Sequence, residues 1–214
     1  VISKEMNKAE HQPVLNALVL AGGKSARMGQ DKGMISWYEQ PQRYHIADML
    51  GLLCDEVYIS CRPEQQQQIA ARYNNIADTH TGKGPYGAIL SALETYPDRA
   101  WLVVACDLPL INSATLKYLI DKRDTSYIAT TYESPFDGLP EPLVTVWEPD
   151  SLPILQLFLS QGYSCPRKVL IRNSEVVKVI KPQHPDALLN ANTPEEAARA
   201  RLIIEAQKKS FDAG

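Results

Sequence analysis

The 214 residues, 44% of them hydrophobic and carrying a formal net charge of −3, suffice for one α/β domain with a substantial core. This acidic balance argues against the nonspecific electrostatic surface of a nucleic-acid binder, while leaving room for a local basic pocket that takes small anions. No window reaches the ~18 uninterrupted apolar residues of a membrane span, the N-terminus lacks the apolar core of a signal peptide, and Cys54, Cys61, Cys106 and Cys165 form no C-x-x-C pair, so a cytoplasmic protein without zinc or disulfides is expected.

Residues 1–12 are polar and aperiodic and read as a linker or tail, which leaves residues 13–214 as a single domain. The apolar run 14–20 reads as a buried strand. It opens directly onto Ala21-Gly22-Gly23-Lys24-Ser25-Ala26-Arg27-Met28-Gly29-Gln30-Asp31-Lys32-Gly33. Adjacent glycines let backbone N–H groups approach a polyphosphate, and Lys24, Arg27 and Lys32 concentrate positive charge beside them, although Lys24 reads equally as a solvated surface charge. The loop is not a Walker loop, because the position five before Gly23 is Leu18, inside the strand.

A helix over 44–53, a strand over 56–59 and a helix over 64–73 follow. Gly82-Lys83-Gly84-Pro85-Tyr86-Gly87 matches a dinucleotide fingerprint, but the polar stretch Asp78-Thr79-His80-Thr81 before it is turn-like, whereas that fingerprint requires a strand there. Pro85 suits the first turn of a helix over 85–96. The strand 101–105 then runs into Cys106-Asp107-Leu108-Pro109. A carboxylate at such a strand end reads either as the ligand of a divalent cation, since magnesium uses one or two carboxylates and completes its shell with phosphate and water, or as an N-cap or hydrogen-bond acceptor before Pro109. The glycine loop tips the reading toward the metal.

Beyond a helix over 113–121, strands over 127–130 and 143–147 are separated by residues 132–142, which contain Pro135, Pro140 and Pro142 and no helical pattern. This segment is expected to lie over the site. Helices over 151–161 and 194–207 complete the chain, the last with Thr193 as N-cap and Glu196 three residues on, a capping box. His11, His45, His80 and His184 lack metal-ligand spacing and read as surface residues. Alternating strands and helices imply a three-layer, Rossmann-like α/β fold, its mostly parallel sheet covered by helices on both faces, with ligands gathered at the carboxyl ends of the strands.

Leu20-Ala21-Gly22-Gly23 followed by Arg27-Met28-Gly29 and Asp31-Lys32 resembles the hallmark of the molybdenum cofactor guanylyltransferases, within the nucleotidyltransferase superfamily whose fold is that of the nucleotide-diphospho-sugar transferases. The resemblance continues through Lys83-Gly84-Pro85, Cys106-Asp107-Leu108-Pro109, residues 139–144 and Asn190-Ala191-Asn192-Thr193-Pro194-Glu195-Glu196. It implies GTP and molybdopterin, or molybdenum-loaded molybdopterin, as substrates and other cofactor-biosynthesis proteins as partners. By the same resemblance Leu20, Ala21, Gly22 and Gly23 hold the nucleotide, Lys32 its phosphates, Asp78 and Gly84 the nucleotide side, and Asp107 a magnesium ion (Mg2+). Ser60 stands where the family has an asparagine that touches the nucleotide. Asn190 and Asn192 would face the pterin, the loop around Pro142 would close over it, and Arg167 with Lys168 reads either as a site for the anionic pterin tail or as a solvated helix start behind Pro166.

The chemistry these residues suit is in-line attack on an α-phosphate by a terminal phosphate of the acceptor. No protein nucleophile is required. Catalysis then rests on positioning two anions and stabilising departing pyrophosphate, for which Lys32 and Arg27, with Asp107, are the candidates. Two other readings stay open, a relative that uses CTP or a sugar-phosphate acceptor and a nonenzymatic nucleotide-binding module.

Overall fold

The computed structural model describes residues 12–21 and 32–212. Its elements in chain order are β1 (Leu15–Leu20), α1 (Gln42–Leu50), β2 (Val57–Cys61), β3 (Asn74–Ala77), α2 (Pro85–Thr95), β4 (Ala100–Ala105), α3 (Ser113–Asp121), β5 (Ala129–Glu133), β6 (Pro140–Trp147), α4 (Ser151–Ser160), α5 (Pro166–Arg172), β7 (Val177–Ile180) and α6 (Pro194–Asp212). Among the described residues seven strands form one sheet in the order β3-β2-β1-β4-β6-β5-β7. β6 alone of these runs against the others.

Every residue of β1 and β4 is buried, which is why both read as continuous apolar runs rather than alternating ones. On one face Ala17, Val19, Ile59, Leu102, Val104 and Val146 pack against Ile46 and Leu50 of α1 and Leu116 and Leu119 of α3. On the other, Leu18, Tyr58, Trp101, Val103 and Trp147 pack against Ile89 and Leu93 of α2, Leu155 of α4, and Val169 and Leu170 of α5. The result is the three-layer architecture expected. α6 builds a third cluster, in which Ala197, Ala200 and Ile204 meet Trp37, Leu110, Leu189 and Ala191. Among the described residues no helix is long and apolar enough to cross a membrane.

Four local expectations are corrected. Residues 64–73 are not an α-helix: a 3₁₀ turn over Pro63–Gln68 ends at an extended Ile69, because the segment buries only Gln65 and Ile69 and offers no apolar face. The edge strand β3, Asn-Asn-Ile-Ala, leaves no apolar run in the sequence because only Ile76 in it is buried. It ends at Ala77, and Asp78–Thr81 between it and Gly82 is turn and bend, so the turn-like reading of that stretch holds and Gly82 does not follow directly on a strand. The edge strand β7, in which only Val177 is buried, is a second strand beyond those the sequence predicts.

Residues 132–142 hold the ends of two strands, Tyr132–Glu133 and Pro140–Pro142, joined by a turn over residues 134–139, and no helix forms there. β5 and β6 form a hairpin whose register shifts between Thr131 and Glu133, where Pro140 and Pro142 cannot donate to the ladder.

Candidate active site

The parallel register lines Ala105, Leu20, Ser60 and Ile76 across four neighbouring strands. One or two residues beyond that row the chain leaves the sheet at Ala21, Asp78 and Asp107, so these positions share one rim. Because β6 runs antiparallel, its beginning at Pro140 and Glu141 reaches the same rim from the opposite direction.

On the β2 and β3 side of the rim Ser60 is only 3% exposed, enclosed between Leu20 and Ile76. The Asp78 carboxylate is built into the α2 junction: its Oδ1 accepts from the His80 backbone N–H at 2.8 Å and from Ser91 Oγ at 3.3 Å. Gly84 adopts a φ of +59° as the residue before the helix, a region that a side chain would strain. Gly87 is required for a different reason. A Cβ there would stand 2.5 Å from the His80 carbonyl oxygen and 2.8 Å from Asp78 Oδ1. His80 pairs with Glu94 at 2.7 Å, while His45 is half-buried, stacked on Tyr38 at 4.1 Å, and its ring pKa is pushed down by that burial. The surface reading of His45 therefore does not hold.

On the other side Asp107 stands two residues past β4, with Oδ1 enclosed. It is not an N-cap: Asn112 caps α3, its side chain accepting from the Thr115 N–H at 2.9 Å. The carbonyl of Asp107 receives the Ala191 N–H at 2.8 Å, which seats Asn190 and Asn192 against the end of β4. That segment is fixed in turn by the capping box. Glu196 Oε2 accepts from the Asn192 and Thr193 backbones at 2.7 and 3.0 Å, and Thr193 Oγ1 accepts from the Glu196 N–H at 3.2 Å.

Glu141, which is outside the expected set, and Arg167, which is within it, meet in this region. Glu141 is buried at the start of β6, and burial raises its carboxyl pKa; the nearby Asp107 and Asp137 charges add to the rise, while the Leu143 N–H and Arg167 oppose it. Arg167 lies between two acids, 2.7 Å from Asp137 and 3.3 Å from Glu141. Asp137 is held below the ordinary carboxylate range first by the Leu139 N–H, then by Ser134 and Arg167. Arg167 and Lys168 thus part company: Lys168 Nζ sits 3.9 Å over the Tyr163 ring. Pro142 is buried within β6 and so belongs to a strand, not to a loop that closes over the site as expected.

The expectations on Gly22, Gly23, Lys24, Arg27 and the side chain of Lys32 lie outside the described residues. Glu141 gave no signal in the sequence, since its neighbours converge through the sheet rather than through spacing. The Pro140-Glu141-Pro142 interruption of a strand pattern was the available hint.

The comparisons with known proteins agree with this geometry. The model of the MobA-like NTP transferase domain matches residues 17–199. A molybdenum cofactor biosynthesis bifunctional protein of Synechocystis sp. is 37% identical over 198 residues, 92% of this chain and 56% of that one; the chain therefore spans little more than half of that relative. A molybdenum cofactor guanylyltransferase of Pseudomonas fluorescens is 30% identical over 86% of this chain and 92% of its own. Among solved structures, molybdopterin-guanine dinucleotide biosynthesis protein A of Archaeoglobus fulgidus superposes with a TM-score of 0.74 at 22% identity, covering 89% of this chain and 99% of that one, a likeness of fold. With a glycine loop after β1, an acid after β4 and a family match across most of its length, this chain belongs to the MobA-like NTP transferase family.

Proposed function

We propose that the chain is a molybdenum cofactor guanylyltransferase. An oxygen of the terminal phosphate of molybdopterin, or of its molybdenum-loaded form, bonds to the α-phosphorus of GTP, the bond from that phosphorus to the β-phosphate bridging oxygen breaks, and pyrophosphate leaves. The observation that carries this reading is the Ala191 to Asp107 hydrogen bond, which brings the Asn190 and Asn192 segment to the acid at the end of β4. The names of the relatives support the same nucleotide and acceptor.

A magnesium ion fits the residues present. Asp107 supplies a hard oxygen ligand, and among the described residues no three His, Cys, Asp or Glu form a cage, as suits an ion that completes its shell with phosphate oxygens. When bound, the ion would offset charge on the triphosphate. In this reading Lys32 and Arg27 draw charge from the phosphates, Leu20, Ala21, Gly22 and Gly23 admit them to the backbone, and Ser60, Asp78 and Gly84 shape the nucleoside side. Asn190 and Asn192 orient the pterin, and Pro142 with Glu141 and Arg167 walls its far end. The reading also places the protein in the cytoplasm among other cofactor-biosynthesis proteins.

Pyrophosphate release with magnesium and molybdopterin tests it, with GTP, CTP and ATP compared. Release selective for GTP is expected, and Asp107→Asn should lower it by about 100-fold or more. Selectivity for CTP would reassign the base, and no release with any nucleotide would overturn the proposal.

A further inference from the structure

Asp107 is followed by a run of main-chain acceptors, each held by a different donor. The Asp107 carbonyl receives Ala191 N–H at 2.8 Å, the Leu108 carbonyl receives Gln42 Nε2 at 3.1 Å, and the Pro109 carbonyl receives the Tyr38 hydroxyl at 2.9 Å. Two of these donors belong to the segment that leaves the glycine loop. That segment is closed on itself by the Ser36 to Pro41 bridge and by the Gln42 N–H bond to Ile35 at 3.0 Å, and its Trp37 packs in the same cluster as Leu110, Leu189 and Ala191.

Gln42 is a costly choice for a purely structural position. Its side chain is fully buried, and Oε1 is enclosed with no hydrogen-bond partner among the described residues. The Leu108 carbonyl does not need the amide to be satisfied, because it also receives the Ile111 N–H at 3.4 Å. A leucine at position 42 would fill similar space without an unsatisfied oxygen. What the amide adds is direction: it fixes where the Leu108 carbonyl points, one residue from the Asp107 carboxylate. Tyr38 makes the same case, since its ring already stacks on His45 and only its hydroxyl engages Pro109.

We infer that Tyr38 and Gln42 are positioning residues for Asp107, tying the segment from Ile35 to Gln42 to the chain that carries this acid out of β4. The inference deepens the proposed function and rests on Asp107 being the metal acid. Groups that orient a ligating carboxylate through a second layer govern metal affinity and turnover together.

The test uses the full chain with Tyr38→Phe, Gln42→Leu and both together, and reads three quantities: Mn2+ affinity of the GTP complex from the paramagnetic resonance of the free ion, kcat and KM for GTP, and the thermal midpoint. The double variant is expected to melt at or above the parent temperature, while Mn2+ affinity and kcat each fall about 10-fold or more. Mn2+ affinity and kcat within about twofold of the parent would overturn the inference. Should the double variant melt early, Tyr38→Phe decides alone, because its stack on His45 survives: weakened Mn2+ binding supports the inference and unchanged binding defeats it. Asp107→Asn separates the two layers of the argument. If that variant binds Mn2+ and turns over like the parent, the reading of Asp107 fails; if it loses both while the double variant is unaffected, the positioning role fails by itself.

Discussion

Replacing Gly87 by alanine tests the junction of α2 with the Asp78 turn, because helix physics and local packing demand opposite outcomes. In an open helix Gly→Ala stabilises by about 1 kcal/mol. Here the new Cβ would lie 2.5 Å from the His80 carbonyl oxygen, 2.8 Å from Asp78 Oδ1 and 3.0 Å from Asp78 Oδ2. The nearest atom is backbone, so the turn carrying Asp78 to His80 must lift off α2, and overpacking of this kind costs up to about 3 kcal/mol. The balance is a loss of about 2 kcal/mol, or a fall of about 4–8 °C in Tm for a chain this long. Differential scanning calorimetry checks the sign, and GTP titration checks the consequence, since the displaced turn carries Asp78. A Tm equal to or above that of the parent would refute the packing argument.

Glu141→Gln tests burial by its pH dependence. Burial sets the folded carboxyl pKa above its ordinary 4.5, so the stability tied to that proton is complete below 4.5 and lost as pH rises through the folded value. The glutamine variant should therefore melt above the parent at pH 7, with the gap closing below pH 4.5; a gap that widens in acid would reverse the assignment. Glu148→Ala leaves the Arg123 side chain, 9% exposed, without the carboxylate that meets it at 2.7 and 2.8 Å, at a cost of about 3 kcal/mol by denaturant titration, and Arg123→Met in the same chain should recover part of that loss. Glu196→Ala frees the Asn192 and Thr193 N–H groups for about 1 kcal/mol in stability. It should raise KM for the acceptor while leaving KM for GTP unchanged.

What the sequence made legible follows from where each signal is stored. β1, β4, α2, α3 and α6 announce themselves because their burial is continuous or their caps are local: Pro85 opens α2, and Thr193 with Glu196 opens α6 within four residues. The edge strands β3 and β7 bury too little to leave a pattern, and the Gln65–Gln68 stretch looks helical by propensity while lacking a face to bury. Asp107, Asn190 and Asn192 could be named from motifs, but their juxtaposition depends on one hydrogen bond across 84 residues, 107 to 191. The surroundings of Glu141, Tyr38 and Gln42 likewise depend on distant contacts. Their partners, Arg167, Pro109 and Leu108, lie 26, 71 and 66 residues away along the chain.

The strand order also has a consequence for how the chain is made. Strands β3, β2, β1 and β4 come from residues 15–105 and strands β6, β5 and β7 from residues 129–180, and the two groups meet in a single ladder, Trp101 against Trp147 through Val104 against Val144. On the ribosome the first group is complete while the partner of β4 is still 42 residues from being finished, 105 to 147, an interval of about 2–8 s at ordinary elongation rates. Through those seconds an apolar strand edge faces solvent unpaired, the kind of surface that recruits other nascent chains. Slow translation between Ala105 and Trp147 should therefore lower the soluble yield, whereas slow translation after Ile180 arrives too late to matter.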